Sequence, residues 1–170
     1  VELKVCVETR LSTQRNHSAT HLLQKALSEV VGEHIAQAGS YVTSERLRFD
    51  FSHFEPVNPA QLREVEQKVN MAILSAMAVT KREMPIDEAK KLGAKALFGE
   101  KYGEVVRVVT MGDYSMEFCG GCHVDNTSEI GIFKIMSESS VAAGVRRIEG
   151  ITGKAVLQYI EEKDAQIDRV

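Results

Sequence analysis

The sequence predicts an α+β fold in which an antiparallel sheet packs against helices. Three observations support this prediction. Two segments carry apolar residues at helical spacing, several segments of strand character follow one another along the chain, and strand and helix do not alternate regularly. A chain of 170 residues, with 44% apolar and 26% charged residues, is long enough to bury one sizeable core.

Two amphipathic helices are predicted in the first half of the chain. The first spans residues 12–31, where Ser12 or Thr13 can cap the start and Gly32 is typical of a helix end. Its apolar stripe comprises Leu22, Leu23, Ala26, Leu27 and Val30. The second spans residues 60–78, and its stripe comprises Leu62, Val65, Val69, Ile73 and Met77.

Most of the remaining segments are predicted as strands. Apolar and polar residues alternate at 47–51, which is the pattern of a half-buried strand. The segment at 105–111 is rich in β-branched residues and is predicted as a buried strand. Further strands are predicted at 41–42, 78–86, 114–118, 131–137 and 145–151. A short helix is predicted from residue 87 to residue 92, and a largely polar helix at 153–170.

The composition argues against several classes of protein. No apolar run is long enough to cross a bilayer and no leader-like segment opens the chain, so no membrane partner is expected. Three cysteines, two of them in one short motif, do not suit a disulfide framework, and a cytoplasmic location is expected. The net charge of -3 does not by itself indicate nucleic-acid binding. Basic clusters that can contact phosphates are Lys81–Arg82, Lys90–Lys91 with Lys95 and Lys101, and Arg146–Arg147.

Two pairs of metal-binding residue types lie about a hundred residues apart. The members of the histidine pair are four residues apart, so on a helix both imidazoles point from one face. The members of the cysteine–histidine pair flank Gly120 and Gly121, which allow a loop to fold back and aim both side chains at one point. Imidazoles and thiolates are the ligands that zinc favours. The predicted ligands are His17, His21, Cys119 and His123.

Other chemistries use related motifs but leave part of this pattern unexplained. The histidine pair lacks the glutamate that follows the first histidine in zinc metalloproteases. Residues 119–123 also fit the attachment motif of c-type haem, which leaves the histidine pair without a role. Cys119 and Cys122 can form a dithiol redox pair, but such pairs open a helix, whereas a turn and a strand are predicted after Asp125. For zinc, Cys122 is a spare or alternative ligand; four protein ligands make a structural site, and three leave a position open for water or substrate.

Six segments, in order, closely resemble the editing domain of bacterial-type alanyl-tRNA synthetases. They are NHSATHLL at 16–23, QAGS at 37–40, LRFDFSH at 47–53, ALFGEKY at 96–102, CGGCH at 119–123 and AGVRRIE at 143–149. Similar domains occur in threonyl-tRNA synthetases and as freestanding trans-editing proteins. The resemblance implies an editing domain at residues 1–152. The helix at 153–170 is then expected to lead towards a C-terminal domain outside this chain, and the ATP-binding aminoacylation domain is likewise expected elsewhere.

The resemblance implies an aminoacyl-tRNA hydrolase within an alanine–tRNA ligase. Its substrate is then the acceptor end of tRNA(Ala) wrongly charged with serine or glycine, because a synthetase pocket cannot reject such amino acids strongly enough by binding alone. It implies Zn2+ held by His17, His21, Cys119 and His123. The implied catalytic residues are Thr20, Gln37 and Cys119. The implied substrate contacts are Gly39, Ser40, Gly120, Gly121 and Arg146.

Two further points follow from the resemblance. Many members have threonine where this chain has Cys122. Lys81, Arg82 and the Arg146–Arg147 pair are candidate tRNA contacts, with a buried ion pair as the alternative for Arg147 because it lies within an alternating strand. The alternatives to an editing domain within a synthetase are a freestanding trans-editing deacylase and a non-catalytic, zinc-stabilised tRNA-binding module.

Overall fold

The structure is a computed structural model that describes residues 1–96 and 102–168. Most of the ALFGEKY motif, and Lys101 of the basic cluster, therefore lie outside the described residues. The helices are α1 (Val7–Val30), α2 (Pro59–Leu74), α3 (Ile86–Lys91) and α4 (Lys154–Ile167). The strands are β1 (Gln37–Val42), β2 (Leu47–Ser52), β3 (Val79–Pro85), β4 (Val105–Met111), β5 (Ser115–Phe118), β6 (Phe133–Ala142) and β7 (Val145–Thr152). A turn of 3-10 helix, Thr127–Ile130, precedes β6.

The strands form two antiparallel sheets, where the sequence led us to expect one. Four strands lie in the order β1-β2-β7-β6, and three in the order β3-β4-β5. Every pairing between these strands is antiparallel. The predicted α+β class, with antiparallel sheet packed against helices, is therefore confirmed.

The main core lies between the four-stranded sheet and two helices. Leu47, Phe49 and Phe51 are fully buried on one face of β2, as their alternation predicts. The helices cover this face with the buried side chains Leu22, Leu23, Leu27, Val65, Val69 and Ile73. Because burial of one such side chain stabilises the fold by about 1.5–3 kcal/mol, this contact holds α1 firmly against the sheet.

The helix ends differ from the prediction for local reasons. The first helix begins at Val7 instead of residue 12. Its extra turns are exposed, and Cys6 provides no side-chain cap that would mark this start in the sequence. The second begins with a capping box in which Asn58 Oδ1 accepts from the Gln61 amide (2.9 Å) and Gln61 Oε1 accepts from the Asn58 amide (3.2 Å).

Within the described residues, no helix combines the length and apolar character needed to cross a membrane.

The second helix ends at Leu74 rather than at residue 78 because Ala76 adopts a left-handed conformation, with φ at 49°. This conformation costs an L-residue about 1–2 kcal/mol but costs glycine little. We therefore expect Ala76→Gly to raise the free energy of unfolding by about 0.5–1 kcal/mol, after allowing for the greater freedom of glycine in the unfolded chain. Urea denaturation measures this change. The control is Ala165→Gly at an exposed helical position, which is expected to destabilise the chain. Equal changes in the free energy of unfolding for the two substitutions would show that the backbone at position 76 is not strained.

Candidate metal centre

The four predicted ligands come from two elements and meet at one place. The first helix carries His17 and His21 on consecutive turns, and the segment after β5 carries Cys119 and His123. One ligand atom from each residue lies within 4.8 Å of all the others. In the part of the chain that the structure describes, this is the only group of three or more His, Cys, Asp or Glu side chains placed to hold an ion.

The spacing of the ligand atoms is close to that around a tetrahedral zinc ion. Cys119 Sγ lies 3.2 Å from Nε2 of His123 and 3.5 Å from Nε2 of His17. The ring centroid of His123 is 4.2 Å from that of His17 and 4.6 Å from that of His21. Nitrogen and sulfur ligands of tetrahedral zinc are separated by roughly 3–4 Å when the bonds have their usual lengths. The residues present therefore match the ion in type and number; the two thiol–imidazole distances lie in this range, and the whole group, within 4.8 Å, is slightly wider than a bound ion requires.

Burial keeps the three imidazoles neutral. It lowers the pKa of His17 and, with a contribution from His17, lowers the pKa of His21 to about 3. Burial also lowers the pKa of His123, and the neighbouring His21 and His17 lower it further. Burial raises the pKa of the Cys119 thiol. Because neutral imidazole and thiolate are the metal-binding forms, the histidines are ready for a metal at neutral pH, whereas the thiol must release a proton on binding.

Asn16 fixes the first helix beside the first ligand. This residue is buried, and its Nδ2 donates to the Thr43 carbonyl at 2.9 Å. Its Oδ1 accepts from Thr152 Oγ1 at 2.7 Å. These bonds tie the helix to the β1–β2 connection and to the end of β7, so His17 follows directly from an anchored residue.

Three side chains hold the backbone of the loop that carries Cys119 and His123. Arg107, on β4, donates through Nη1 to the carbonyls of Cys119 (3.2 Å) and Gly121 (2.6 Å). Lys81 Nζ and Gln14 Nε2 both donate to the His123 carbonyl, at 3.1 and 3.0 Å. The loop is therefore fixed from β3, β4 and α1 at once.

The two glycines of this loop have different surroundings. A Cβ atom on Gly121 would lie 1.9 Å from Cε1 and 2.4 Å from Nδ1 of His17. A Cβ atom on Gly120 would meet no atom within 4 Å. Glycine is therefore required at position 121 because the His17 ring packs directly on the backbone and leaves no room for a side chain. The substrate-binding role of both glycines stays a prediction.

Two residues next to the ligands have other contacts. Thr20 is buried, and its Oγ1 donates to the Asn16 carbonyl at 2.9 Å, within the helix. The Cys122 thiol is half-buried and does not belong to the group of four ligand atoms, although the backbone of this residue bonds the His17 ring. The structure therefore favours Cys119 over Cys122 as the ligand, and the catalytic role of Thr20 stays a prediction.

The other predicted substrate residues lie on β1, the edge strand beside α1. Ser40 is opposite Phe49, whose side chain points into the core, so both side chains share the helix-facing side of the sheet. Gln37 Nε2 donates to Ser40 Oγ at 3.4 Å, and Gly39 lies between them opposite Asp50. Gln37 and Ser40 thus bond to each other and not to the four ligands. The roles of Gln37, Gly39 and Ser40 in catalysis and substrate binding stay predictions.

The candidate tRNA-contacting arginines on β7 are ion-paired. Arg146 donates through Nε and Nη2 to both carboxylate oxygens of Glu138, at 2.6 and 2.7 Å. Arg147 donates in the same way to Asp50, at 2.7 and 2.8 Å, so it forms the alternative ion pair, although its side chain is partly exposed and not buried. A guanidinium held by two bonds to one carboxylate has fewer donors left for a phosphate.

The sequence did not predict the residues that support the centre, among them Ser18, Arg107 and Glu117. Ser18 Oγ lies 3.1 Å from Nδ1 of His123, and Glu117 Oε2 lies 3.4 Å from Nδ1 of His21. Burial raises the pKa of Glu117 to about 7. The one available signal was proximity, since Ser18 adjoins a ligand and Glu117 precedes another by two residues.

The chain is similar in sequence to known tRNA synthetases. Residues 106–149 match the family described as the threonyl and alanyl tRNA synthetase second additional domain. The chain is 63% identical over 163 residues to an alanine–tRNA ligase of Clostridioides difficile (strain 630), a match that covers 96% of this chain and 18% of that protein. It is 56% and 55% identical over 170 residues to those of Alkaliphilus oremlandii and Pelotomaculum thermopropionicum, covering 100% of this chain and 19% of each relative.

The chain thus spans about a fifth of the length of these relatives, and they match it along essentially its whole length. The matched segment contains β5, β6, most of β4, the first part of β7 and the loop that carries two of the four ligands. The α+β architecture is the one expected for this type of domain. Residues 106–149 therefore match the second additional domain of threonyl- and alanyl-tRNA synthetases, and the chain as a whole is similar to a segment of alanine–tRNA ligases.

Proposed function

We propose that this chain hydrolyses the ester of tRNA(Ala) that carries serine or glycine in place of alanine. The observation that supports the proposal is the convergence of His17, His21, Cys119 and His123, set in a chain similar throughout to alanine–tRNA ligases. The proposed cofactor is Zn2+. The proposed partners are the acceptor end of tRNA(Ala) and the remaining domains of a synthetase, in the cytoplasm.

The proposed reaction makes modest demands on the protein. Water adds to the carbonyl carbon of the aminoacyl ester, the bond to the ribose oxygen breaks, and the tRNA hydroxyl and the free amino acid are released. Because an aminoacyl ester is already activated, correct positioning can supply much of the rate. A zinc ion at this centre supplies a Lewis acid that polarises a water molecule or the ester.

The chain's own residues define the side from which a substrate approaches. His21 and His123 are buried, whereas His17 and Cys119 are partly exposed. Gly120 is exposed, with open space next to its backbone. The amino acid is therefore proposed to enter over Gly120, where His17 and Cys119 face it. Gln37 and Ser40 offer an amide and a hydroxyl that can bind its polar groups from the neighbouring strand.

One observation favours a second candidate, a zinc-stabilised tRNA-binding module without catalytic activity. The Thr20 hydroxyl, proposed to act in catalysis, is buried and bonded to the helix backbone. In that case the metal supports folding alone, as four protein ligands do in structural zinc sites.

The experiment that separates the two candidates is release of serine from Ser-tRNA(Ala) by this chain, with Ala-tRNA(Ala) in parallel. We expect selective release of serine, loss of release after treatment with a zinc chelator, and recovery when zinc is returned. Circular dichroism should show that the chelated chain remains folded. A folded, zinc-loaded chain that binds tRNA(Ala) but releases neither amino acid would support the binding module instead.

A further inference from the structure

Two polar side chains behind the metal centre form reciprocal contacts between the elements that carry the ligands. Ser18 lies on α1, beside His17, and its Oγ contacts Nδ1 of His123. Glu117 lies on β5, just before Cys119, and its Oε2 contacts Nδ1 of His21. Each element therefore supplies two ligands together with the outer contact for one ligand of the other element.

We infer that Ser18 and Glu117 are positioning residues that hold His123 and His21 with Nε2 directed at the metal. This inference rests on the metal centre of the proposed function and does not depend on its hydrolytic chemistry. In each ring Nδ1 faces the positioning residue, which leaves Nε2 as the nitrogen available to the cluster. For His123 this is the nitrogen that contacts the Cys119 thiol.

The contact of Ser18 is well defined by its surroundings. This residue is fully buried, and its Oγ also accepts from the Val124 amide at 3.2 Å. The same oxygen therefore holds the His123 ring and the backbone that follows it. A metal on Nε2 requires a hydrogen on Nδ1, and Ser18 Oγ is placed to accept it.

The contact of Glu117 comes from a buried carboxyl group. Ser115 Oγ donates to the other oxygen of this group at 3.2 Å. The 3.4 Å separation from His21 Nδ1 is long for a hydrogen bond. That nitrogen has no hydrogen-bond partner among the described residues, so Glu117 is the group placed to accept from it if the ring holds a metal through Nε2.

The test is zinc affinity of the 170-residue chain, measured by competition with a chromophoric chelator. We expect Ser18→Ala and Glu117→Gln each to weaken zinc binding on the order of 10–100-fold, as for outer contacts of metal-binding histidines. The matched controls are expected to leave it unchanged. Ser28→Ala removes an unpartnered hydroxyl from the same helix. Glu138→Gln removes a carboxyl group whose side chain is 8% exposed, as that of Glu117 is, but which pairs with Arg146 and not with a ligand.

A second measurement separates positioning from a general loss of structure. In the metal-free chain, long-range proton–nitrogen NMR should show His21 with its hydrogen on Nδ1, and Glu117→Gln should shift hydrogen towards Nε2. Unchanged affinity in both variants, or an unchanged His21 tautomer, would overturn the inference while leaving the metal centre in place. If the unsubstituted chain binds no zinc, the metal centre and this inference are both wrong.

Discussion

Gly121→Ala is expected to weaken zinc binding by a factor on the order of 100 or more, comparable to removal of the ligand Cys119, whereas Gly120→Ala leaves it within about threefold. The added methyl group at position 121 would lie 1.9 Å from the His17 ring, far inside van der Waals contact. At position 120 the methyl group meets open space. Neither glycine has a positive φ, so alanine can adopt both backbone conformations and the comparison isolates the steric effect.

Neither partner in the Gly121–His17 contact can move away easily. The loop is fixed because Arg107 Nη1 donates to the Gly121 carbonyl at 2.6 Å. The helix is fixed because the buried Asn16 joins it to the β1–β2 connection and to β7. The ring of His17 must therefore leave the cluster. Zinc affinity of the two variants, with circular dichroism to verify folding, measures the outcome, and equal affinities would show that the loop accommodates the methyl group.

The ligand pairs could be predicted from the sequence because each is a local pattern on one element. Spacing alone placed His17 and His21 on one helical face, and the Gly-Gly turn placed Cys119 near His123. The apolar stripes likewise indicated where two helices lie. The start of α1 is not predicted because Val7 and Leu11, although four residues apart, are exposed and do not continue the buried stripe of the helix.

The division into two sheets could not be predicted, because it depends on pairing between distant segments. Asp50 on β2 faces Arg147 on β7, and nothing in either segment specifies the other strand as its neighbour. The polar end of β6 lies beyond the strand predicted at 131–137 for a similar reason. Its residues 138–142 are mostly exposed, so pairing with β7, and not burial, makes them a strand.

The contacts that support the site were also beyond sequence analysis. Ser18 and Glu117 are ordinary polar residues in a helix and a strand, and their importance arises only when the two elements meet. The same limit applies to Thr20, whose hydroxyl suits either a substrate or its own helix. In the structure the Thr20 hydroxyl donates to the Asn16 carbonyl within the helix, so a catalytic role is tested by the activity of a Thr20 variant.

Arg146→Met is expected to lower the free energy of unfolding by about 2–3 kcal/mol. The substitution leaves the Glu138 carboxylate, with its side chain only 8% exposed, without its guanidinium partner. Loss of one partner from a fully buried ion pair costs about 3–5 kcal/mol, and the lower figure allows for the residual contact of this pair with water. Urea denaturation measures the change.

The double variant Arg146→Met with Glu138→Met separates a structural role of Arg146 from a role in substrate binding. Replacing both partners by apolar side chains removes the unpaired charge, so we expect most of the lost stability to return. A double variant as unstable as Arg146→Met alone would show that the ion pair is not the cause. If Arg146 also contacts the substrate, the restored chain must still release serine from Ser-tRNA(Ala) poorly. Full activity in the restored chain would assign Arg146 to the fold alone, because its only described bonds are those to Glu138.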